Sequence, residues 1–148
     1  MDVPGEKRRV TLRCSFCSTL NQVDMAKAAE RPGCGRCRKP ILLDRPLRIS
    51  EEDFDRSVRQ ASVPVLVDFY ADWCAPCRMM APLMDQIAGE HVGRVLVVKV
   101  DTDRAPSVAG ALGIQSIPTV ILFSHGREVR RSIGFDPQTI KNMALEAL

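Results

Sequence analysis

The chain lacks any long hydrophobic run. Its longest apolar stretches, residues 63–70 and 117–123, are far shorter than the ~18 residues that a membrane-spanning helix needs. The N-terminus has no apolar segment of the kind found in a signal peptide, and the chain contains no glycine-rich dinucleotide fingerprint. Together these absences predict a cytosolic protein with no membrane partner.

The sequence also has no unpaired cysteine. Because a cytosolic thiol pool keeps structural disulfides reduced, six cysteines in such a chain indicate metal binding or redox chemistry rather than extracellular cross-links. The cysteines form three Cys-x-x-Cys pairs: Cys14 with Cys17, Cys34 with Cys37, and Cys74 with Cys77.

Length and charge divide the chain into two parts. Its 148 residues suit one ordinary domain plus a small appendage. Residues 1–49 contain eleven Lys or Arg and five Asp or Glu, whereas residues 50–148 contain ten and thirteen. We therefore predict a small module over residues 1–45 and a larger domain over 46–148. The modest basic charge of the first part is too weak to indicate a nucleic-acid partner.

The first two cysteine pairs have the spacing of a structural zinc site. Sixteen residues separate Cys17 from Cys34, within the range typical of two facing metal-binding turns. Gly33 and Gly35 flank Cys34 and suit a turn with positive φ. Short strands over 10–13 and 41–43 would complete a zinc ribbon, with a short helix over 25–30. A zinc ion is the expected cross-link for so small a module. Two disulfides, or a second redox-active pair, are the alternative interpretations of these four cysteines.

The second part predicts a mixed α/β domain. The expected elements are strand 47–49, a helix from Ser50, strand 63–70, helix 74–90, strand 94–100, helix 105–111, strand 118–123, strand 128–133 and a helix capped by Asp136.

The third cysteine pair lies between a buried strand and a helix. Cys74 falls at the predicted helix N-terminus, where free amides and the helix dipole favour a thiolate. Cys77 lies one turn later on the same face, within bridging reach. This position predicts a redox-active dithiol.

One charged residue interrupts the apolar strand before this dithiol. Alternation places Asp68 on the face that leads to Cys77, where burial would raise the pKa of its carboxyl group into the range useful for proton transfer. Lys99, alone in the apolar run 95–100, is its expected partner from a neighbouring strand.

The segment 65–77, Val-Leu-Val-Asp-Phe-Tyr-Ala-Asp-Trp-Cys-Ala-Pro-Cys, resembles the active site of the thioredoxin family. The similarity continues through residues 99–101, 113–114, 116–119, Gly126 and Gly134. It implies a thioredoxin fold, with a central mixed sheet flanked by helices, over about residues 46–148. Together with the four-cysteine segment, the whole chain resembles the zinc-binding thioredoxin 2 class of bacteria.

The resemblance implies a protein-disulfide reductase. Cys74 would attack a substrate disulfide, and Cys77, deprotonated with help from Asp68, would resolve the mixed disulfide. An NADPH-linked thioredoxin reductase would supply the electrons. Pro118 matches the family's cis-proline. The residues assigned to substrate binding are Trp73, Ala75, Pro76, Ile117, Pro118 and Gly134. Ala75 stands where the family usually has glycine, and Tyr70 stands where tryptophan is common.

Two other hypotheses compete with this one. The chain could be a zinc-ribbon binding or holdase module on a thioredoxin scaffold, although a scaffold needs neither Asp68 nor the dithiol. Alternatively, oxidation of the four zinc cysteines could eject the metal and act as a switch. The sequence carries no signal for a dimer, so we expect a monomer.

Overall fold

The computed structural model describes residues 8–148. A 3-10 helix covers Met25–Glu30 and a π-helical segment covers Asp55–Arg59. The strands and α-helices, in chain order, are β1 (Arg9–Arg13), β2 (Leu20–Asp24), β3 (Leu47–Arg48), β4 (Val65–Tyr70), α1 (Ala75–Glu90), β5 (Leu96–Asp101), α2 (Pro106–Ala111), β6 (Thr119–Ser124), β7 (Arg127–Ile133) and α3 (Pro137–Glu146).

The larger part of the chain is built on a five-stranded mixed sheet. Its strand order is β3-β5-β4-β6-β7. The strands β3, β5 and β4 run parallel to one another, β6 is antiparallel to β4, and β7 is antiparallel to β6. The three central strands are almost wholly buried, as their continuous apolar runs require. The edge strand β7 is largely exposed and carries the charged residues that suit an edge. The predicted order of strands and helices is confirmed.

Helices and the N-terminal hairpin cover opposite faces of this sheet. On one face, α1 and α3 pack through buried residues such as Met80, Met84 and Ile140. On the other face, Phe54 and Val58 of the π-helical segment share a core with β1 and β2. Because strand side chains alternate between faces, Asp68 lies on the α1 face, two residues after Leu66.

The first helix of the domain differs from the prediction. The Ser50 side chain accepts a hydrogen bond from the Asp53 amide, as expected of a helix start. However, the segment then closes with π-type bonding, in which the Gln60 amide donates to the Asp55 carbonyl five residues earlier. The side chain of Asp53 bonds to Arg13 rather than to its own backbone.

In the N-terminal module, β1 and β2 form an antiparallel hairpin with the first cysteine turn, residues 14–17, between them. The second cysteine turn, residues 34–37, follows later in the chain. The strand predicted over 10–13 is confirmed as β1, and its partner is β2. The prediction of a strand at 41–43 is wrong: Ile41 and Leu43 are buried among core side chains but pair with no strand. An isolated bridge, Gly33 to Pro40, closes the second turn, where the Cys34 amide donates to the Lys39 carbonyl and the Ile41 amide to the Pro32 carbonyl.

The module packs directly on the sheet domain. The Ser57 hydroxyl donates to the Thr11 carbonyl at 2.6 Å, and the Ser62 amide donates to the Arg9 carbonyl at 2.9 Å. Val10 and Leu12 of β1 are buried in the same core as Phe54. The boundary between residues 45 and 46 remains a prediction. Within residues 8–148, no helix has the length and hydrophobicity to cross a membrane.

Candidate active site and metal centre

Cys74 and Cys77 lie at the N-terminus of α1 and form a disulfide. Cys74 is extended and caps the helix, and its Sγ accepts a hydrogen bond from the Cys77 amide at 3.2 Å. Pro76 occupies the first turn, where a missing amide hydrogen costs nothing. The free amides of this turn favour negative charge on Cys74.

Exposed side chains form the rim of the dithiol. Both cysteines are buried, whereas Trp73, Ala75 and Pro76 beside them are exposed. The Trp73 indole donates to a carboxylate oxygen of Asp103 at 2.9 Å, which fixes the ring at the rim. The structure therefore places these three predicted substrate-binding residues around the disulfide.

A loop before β6 completes the rim. The Ile117–Pro118 peptide bond is cis, and the carbonyl oxygen of Ile117 lies 3.8 Å from the Sγ of Cys74. Gly134 has a φ of 89° and donates its amide to the Pro118 carbonyl at 2.8 Å. The predicted residues Ile117, Pro118 and Gly134 thus lie together beside Cys74.

Asp68 lies beneath the dithiol in a cavity of about 170 Å³ that Cys77 also lines. The carboxyl group is buried, and its Oδ1 has no hydrogen-bond partner among the described residues. Burial raises the pKa of Asp68 to about 7, and the positive charge of Lys99 opposes this rise. The carboxyl group therefore changes charge near neutral pH, within a cavity that leads to Cys77.

Lys99 occupies the predicted position but makes a different contact. It is the β5 residue directly paired with Asp68 of β4. Among the ion pairs of residues 8–148, none joins the two side chains. Instead, the Lys99 ammonium lies over the ring of Tyr70, 5.3 Å from its centroid.

The four N-terminal cysteines converge on one point. Their sulfur atoms all lie within 4.8 Å of one another. Cys14 Sγ is 3.6 Å from Cys37 Sγ, and Cys17 Sγ is 3.6 Å from Cys34 Sγ. A tetrahedron with Zn–S bonds of ~2.3 Å has sulfur atoms ~3.8 Å apart. The sulfur positions therefore fit a four-thiolate zinc ion.

Two equivalent turns present these sulfurs. The Ser18 amide donates to the Cys14 carbonyl at 3.0 Å, and the Arg38 amide donates to the Cys34 carbonyl at 2.9 Å. Positive φ falls at Ser18 and Arg38, at 63° and 66°, directly after the second cysteine of each turn. The expectation of positive φ at Gly33 and Gly35 is wrong, because the backbone reverses direction after the second cysteine of each turn.

Backbone amides of these turns point at sulfur. Phe16 donates to Cys14 Sγ and Arg36 to Cys34 Sγ, both at 3.4 Å. Hydrogen bonds from the Cys37 amide, the Asn21 side chain and the Arg36 amide lower the pKa of Cys34 to about 6. Donors aimed at a sulfur stabilise the thiolate that a metal requires.

Asn21 is a site residue that sequence reasoning missed. Its side-chain amide donates to Cys34 Sγ at 3.4 Å, and its oxygen accepts from the Gly35 amide at 2.9 Å. It thus ties β2 to the second turn. No spacing rule marks an asparagine thirteen residues before the cysteine that it contacts.

The thioredoxin family model matches residues 45–146. Thioredoxin 1 of Nostoc sp. is 46% identical over 99 residues, covering 67% of this chain and 92% of that protein. Thioredoxin C-3 of Corynebacterium nephridii is 36% identical over 121 residues, covering 82% of this chain and 83% of that protein.

Solved structures of thioredoxins also superpose on this chain. A thioredoxin from Halobacterium salinarum superposes with a TM-score of 0.64 at 33% identity, covering 71% of this chain and 92% of that one. One from Malassezia sympodialis gives 0.65 at 29% identity, covering 69% and 90%. The chain belongs to the thioredoxin family of protein-disulfide oxidoreductases.

Proposed function

We propose that this thioredoxin is of the zinc-binding thioredoxin 2 class, and that it reduces protein disulfides with Cys74 and Cys77 while Cys14, Cys17, Cys34 and Cys37 hold one zinc ion. The observation that carries the proposal is the placement of the Cys74–Cys77 disulfide at a helix N-terminus, above the buried carboxyl group of Asp68.

The first step uses the reduced dithiol. The Cys74 thiolate attacks one sulfur of a substrate disulfide, a new S–S bond forms, and the other substrate sulfur leaves as a thiolate. The amides at the start of α1 stabilise the attacking thiolate. An extended substrate chain lies along the Ile117 backbone, beside the cis-proline Pro118.

The second step releases the substrate. Cys77 loses its proton to the Asp68 carboxylate, and its thiolate attacks Cys74 Sγ. The Cys74–Cys77 disulfide forms, and the second substrate sulfur leaves as a thiolate. Two electrons have passed from the dithiol to the substrate, so an NADPH-linked thioredoxin reductase must return them for another turnover.

The zinc ion, when bound, cross-links the two turns and takes no part in thiol exchange. The four cysteines supply thiolate sulfurs, and Asn21 orients Cys34. This role fits the position of the four cysteines, none of which lines the cavity that Asp68 and Cys77 share. Release of the metal on oxidation remains an alternative role for the site.

The proposed partners are disulfide-containing proteins and the reductase, and the proposed state is a monomer in the cytosol. The cytosolic location stays a prediction, since some relatives, such as a thioredoxin M-type of Triticum aestivum, are named chloroplastic.

NADPH-coupled insulin reduction with a thioredoxin reductase tests the proposal. Wild type and Cys74→Ser are compared with Ala111→Ser, a matched change at an exposed position of α2. We expect turnover in wild type and Ala111→Ser, none in Cys74→Ser, and about one zinc per chain in all three. A folded, zinc-loaded wild type without turnover would favour a zinc-ribbon binding or holdase module instead.

A further inference from the structure

Lys99 has two neighbours on β4 that face the same side of the sheet. Asp68 is its directly paired neighbour on β4, and Tyr70 follows Asp68 by two residues. Residues two apart in a strand face the same way, so both side chains are within reach of the Lys99 ammonium. A buried carboxylate would ordinarily attract this charge most strongly.

The structure shows the opposite arrangement. The Lys99 ammonium lies 5.3 Å from the centre of the Tyr70 ring, and Asp68 Oδ1 makes no hydrogen bond to any described residue. The electron-rich face of an aromatic ring attracts a cation at this distance. Burial raises the pKa of the Tyr70 hydroxyl, so the ring stays neutral at physiological pH.

Other charged groups also surround Lys99. Asp101 follows it by two residues on β5 and pairs with Arg104, and Glu51 and Asp72 line the neighbouring cavity that Lys99 and Tyr70 share. Among residues 8–148, none of these carboxylates forms an ion pair with Lys99. Arg48 of β3 is paired with Lys99 on the side away from Asp68, and its like charge disfavours movement of Lys99 towards the edge. Cys77, Arg78 and Asp85 face the cavity from α1, and Asp72 faces it from the loop after β4. On β6, the residue paired with Asp68 is the uncharged Val120.

We propose that Tyr70 is a positioning residue for the dithiol chemistry: its ring face holds the Lys99 ammonium away from Asp68 and so keeps the Asp68 carboxyl group able to take up a proton. The consequence for catalysis rests on the proposed role of Asp68 in accepting the proton of Cys77. A full ion pair with Lys99 would stabilise the carboxylate and make it a weaker base towards a thiol.

A matched pair of ring substitutions tests the proposal. Tyr70→Phe keeps the attractive ring face, whereas pentafluorophenylalanine at position 70 reverses its electrostatics with nearly the same shape. The Asp68 side-chain carboxyl is followed by carbon-13 NMR against pH in the oxidised protein. We expect Tyr70→Phe to leave the midpoint within about 0.2 pH unit and the fluorinated ring to lower it by about 0.4–1 pH unit.

The same pair in a Lys99→Gln background separates positioning from packing. If Tyr70 acts through Lys99, the two rings give the same midpoint once the ammonium is removed. A fluorinated ring that leaves the midpoint unchanged, or that shifts it equally without Lys99, overturns the proposal. The titration needs no turnover, so its result is independent of insulin reduction, which tests the reductase function.

Discussion

The guanidinium group of Arg13 donates to both carboxylate oxygens of Asp53, at 2.8 Å each. Arg13 directly precedes Cys14, the first of the four convergent cysteines, and it also donates to the Ser18 carbonyl in the same turn. Asp53 is buried at the start of the helical segment that covers the sheet. One side chain therefore joins the first cysteine turn to the thioredoxin domain.

We predict that Asp53→Asn lowers the Tm by about 3–8 °C at neutral pH, because it removes the charge that the Arg13 fork recognises. The guanidinium holds the pKa of Asp53 below its usual value, so the stabilisation is present above about pH 4 and is lost as the pH falls further. The Tm values of wild type and variant, measured by thermal unfolding, should therefore converge in acid.

The matched control is Asp55→Asn. Asp55 forms an exposed pair with Arg59 in the next turn, and such pairs contribute little to stability. We expect its Tm to equal that of wild type. An equal loss in both variants would mean that the Arg13 contact has no special role.

Asp68→Asn should have the opposite effect on stability. The pKa of Asp68 is about 7 in the folded protein and 3.8 in a free side chain. Between these values the folded state holds a proton that the unfolded state has lost, so the free energy of unfolding of wild type falls as the pH rises from about 4 to 7. The variant avoids this loss, so its free energy of unfolding should exceed that of wild type by up to about 4 kcal/mol above pH 7.

Urea denaturation at several pH values measures this gain, with Asp85→Asn as control. Asp85 lines the same cavity but is exposed, so its variant should follow the pH profile of wild type. Parallel profiles for wild type and Asp68→Asn would show that Asp68 does not carry the pH dependence.

The sequence predicted the groups that carry chemistry but not the contacts that position them. The dithiol, the four convergent cysteines and Asp68 follow from local spacing and alternation. By contrast, Arg13 and Asp53 are forty residues apart, and no periodic pattern connects them. The position of Lys99 was predictable from the strand pairing, but its choice of the Tyr70 ring depends on side-chain packing.

Local pattern also misled in the N-terminal module. The apolar residues 41–43 have the composition of a strand, yet they form an irregular segment whose side chains Ile41 and Leu43 are buried in the shared core. The left-handed positions fall on Ser18 and Arg38, which no composition rule singles out. Tertiary packing decided the first point, and the local geometry of the two cysteine turns decided the second.

Asn21→Ala should weaken zinc retention without removing a ligand. Asn21 links the Cys34 sulfur to the Gly35 amide, and loss of such an orienting partner typically costs 10–100-fold in metal affinity. Competition with a chromophoric chelator measures the affinity. Gln22→Ala, one residue along β2 and exposed, is the control and should bind zinc as wild type does. Equal affinities in all three proteins would show that Asn21 does not support the metal.

Cys77→Ser should trap the first intermediate of the exchange reaction. Cys74 keeps its place at the start of α1, so its thiolate still attacks a substrate disulfide and forms a mixed disulfide. Without a sulfur at position 77, no intramolecular attack on Cys74 follows, and the adduct should accumulate. Mass spectrometry under non-reducing conditions should show one substrate per chain, released by dithiothreitol. Cys74→Ser should form no adduct, because Cys74 lies beside the Ile117 backbone at the rim, whereas Cys77 lies inside the first turn of α1 and lines the cavity beneath it. Adducts formed by Cys74→Ser instead of Cys77→Ser would reverse the assignment of attacking and resolving cysteines.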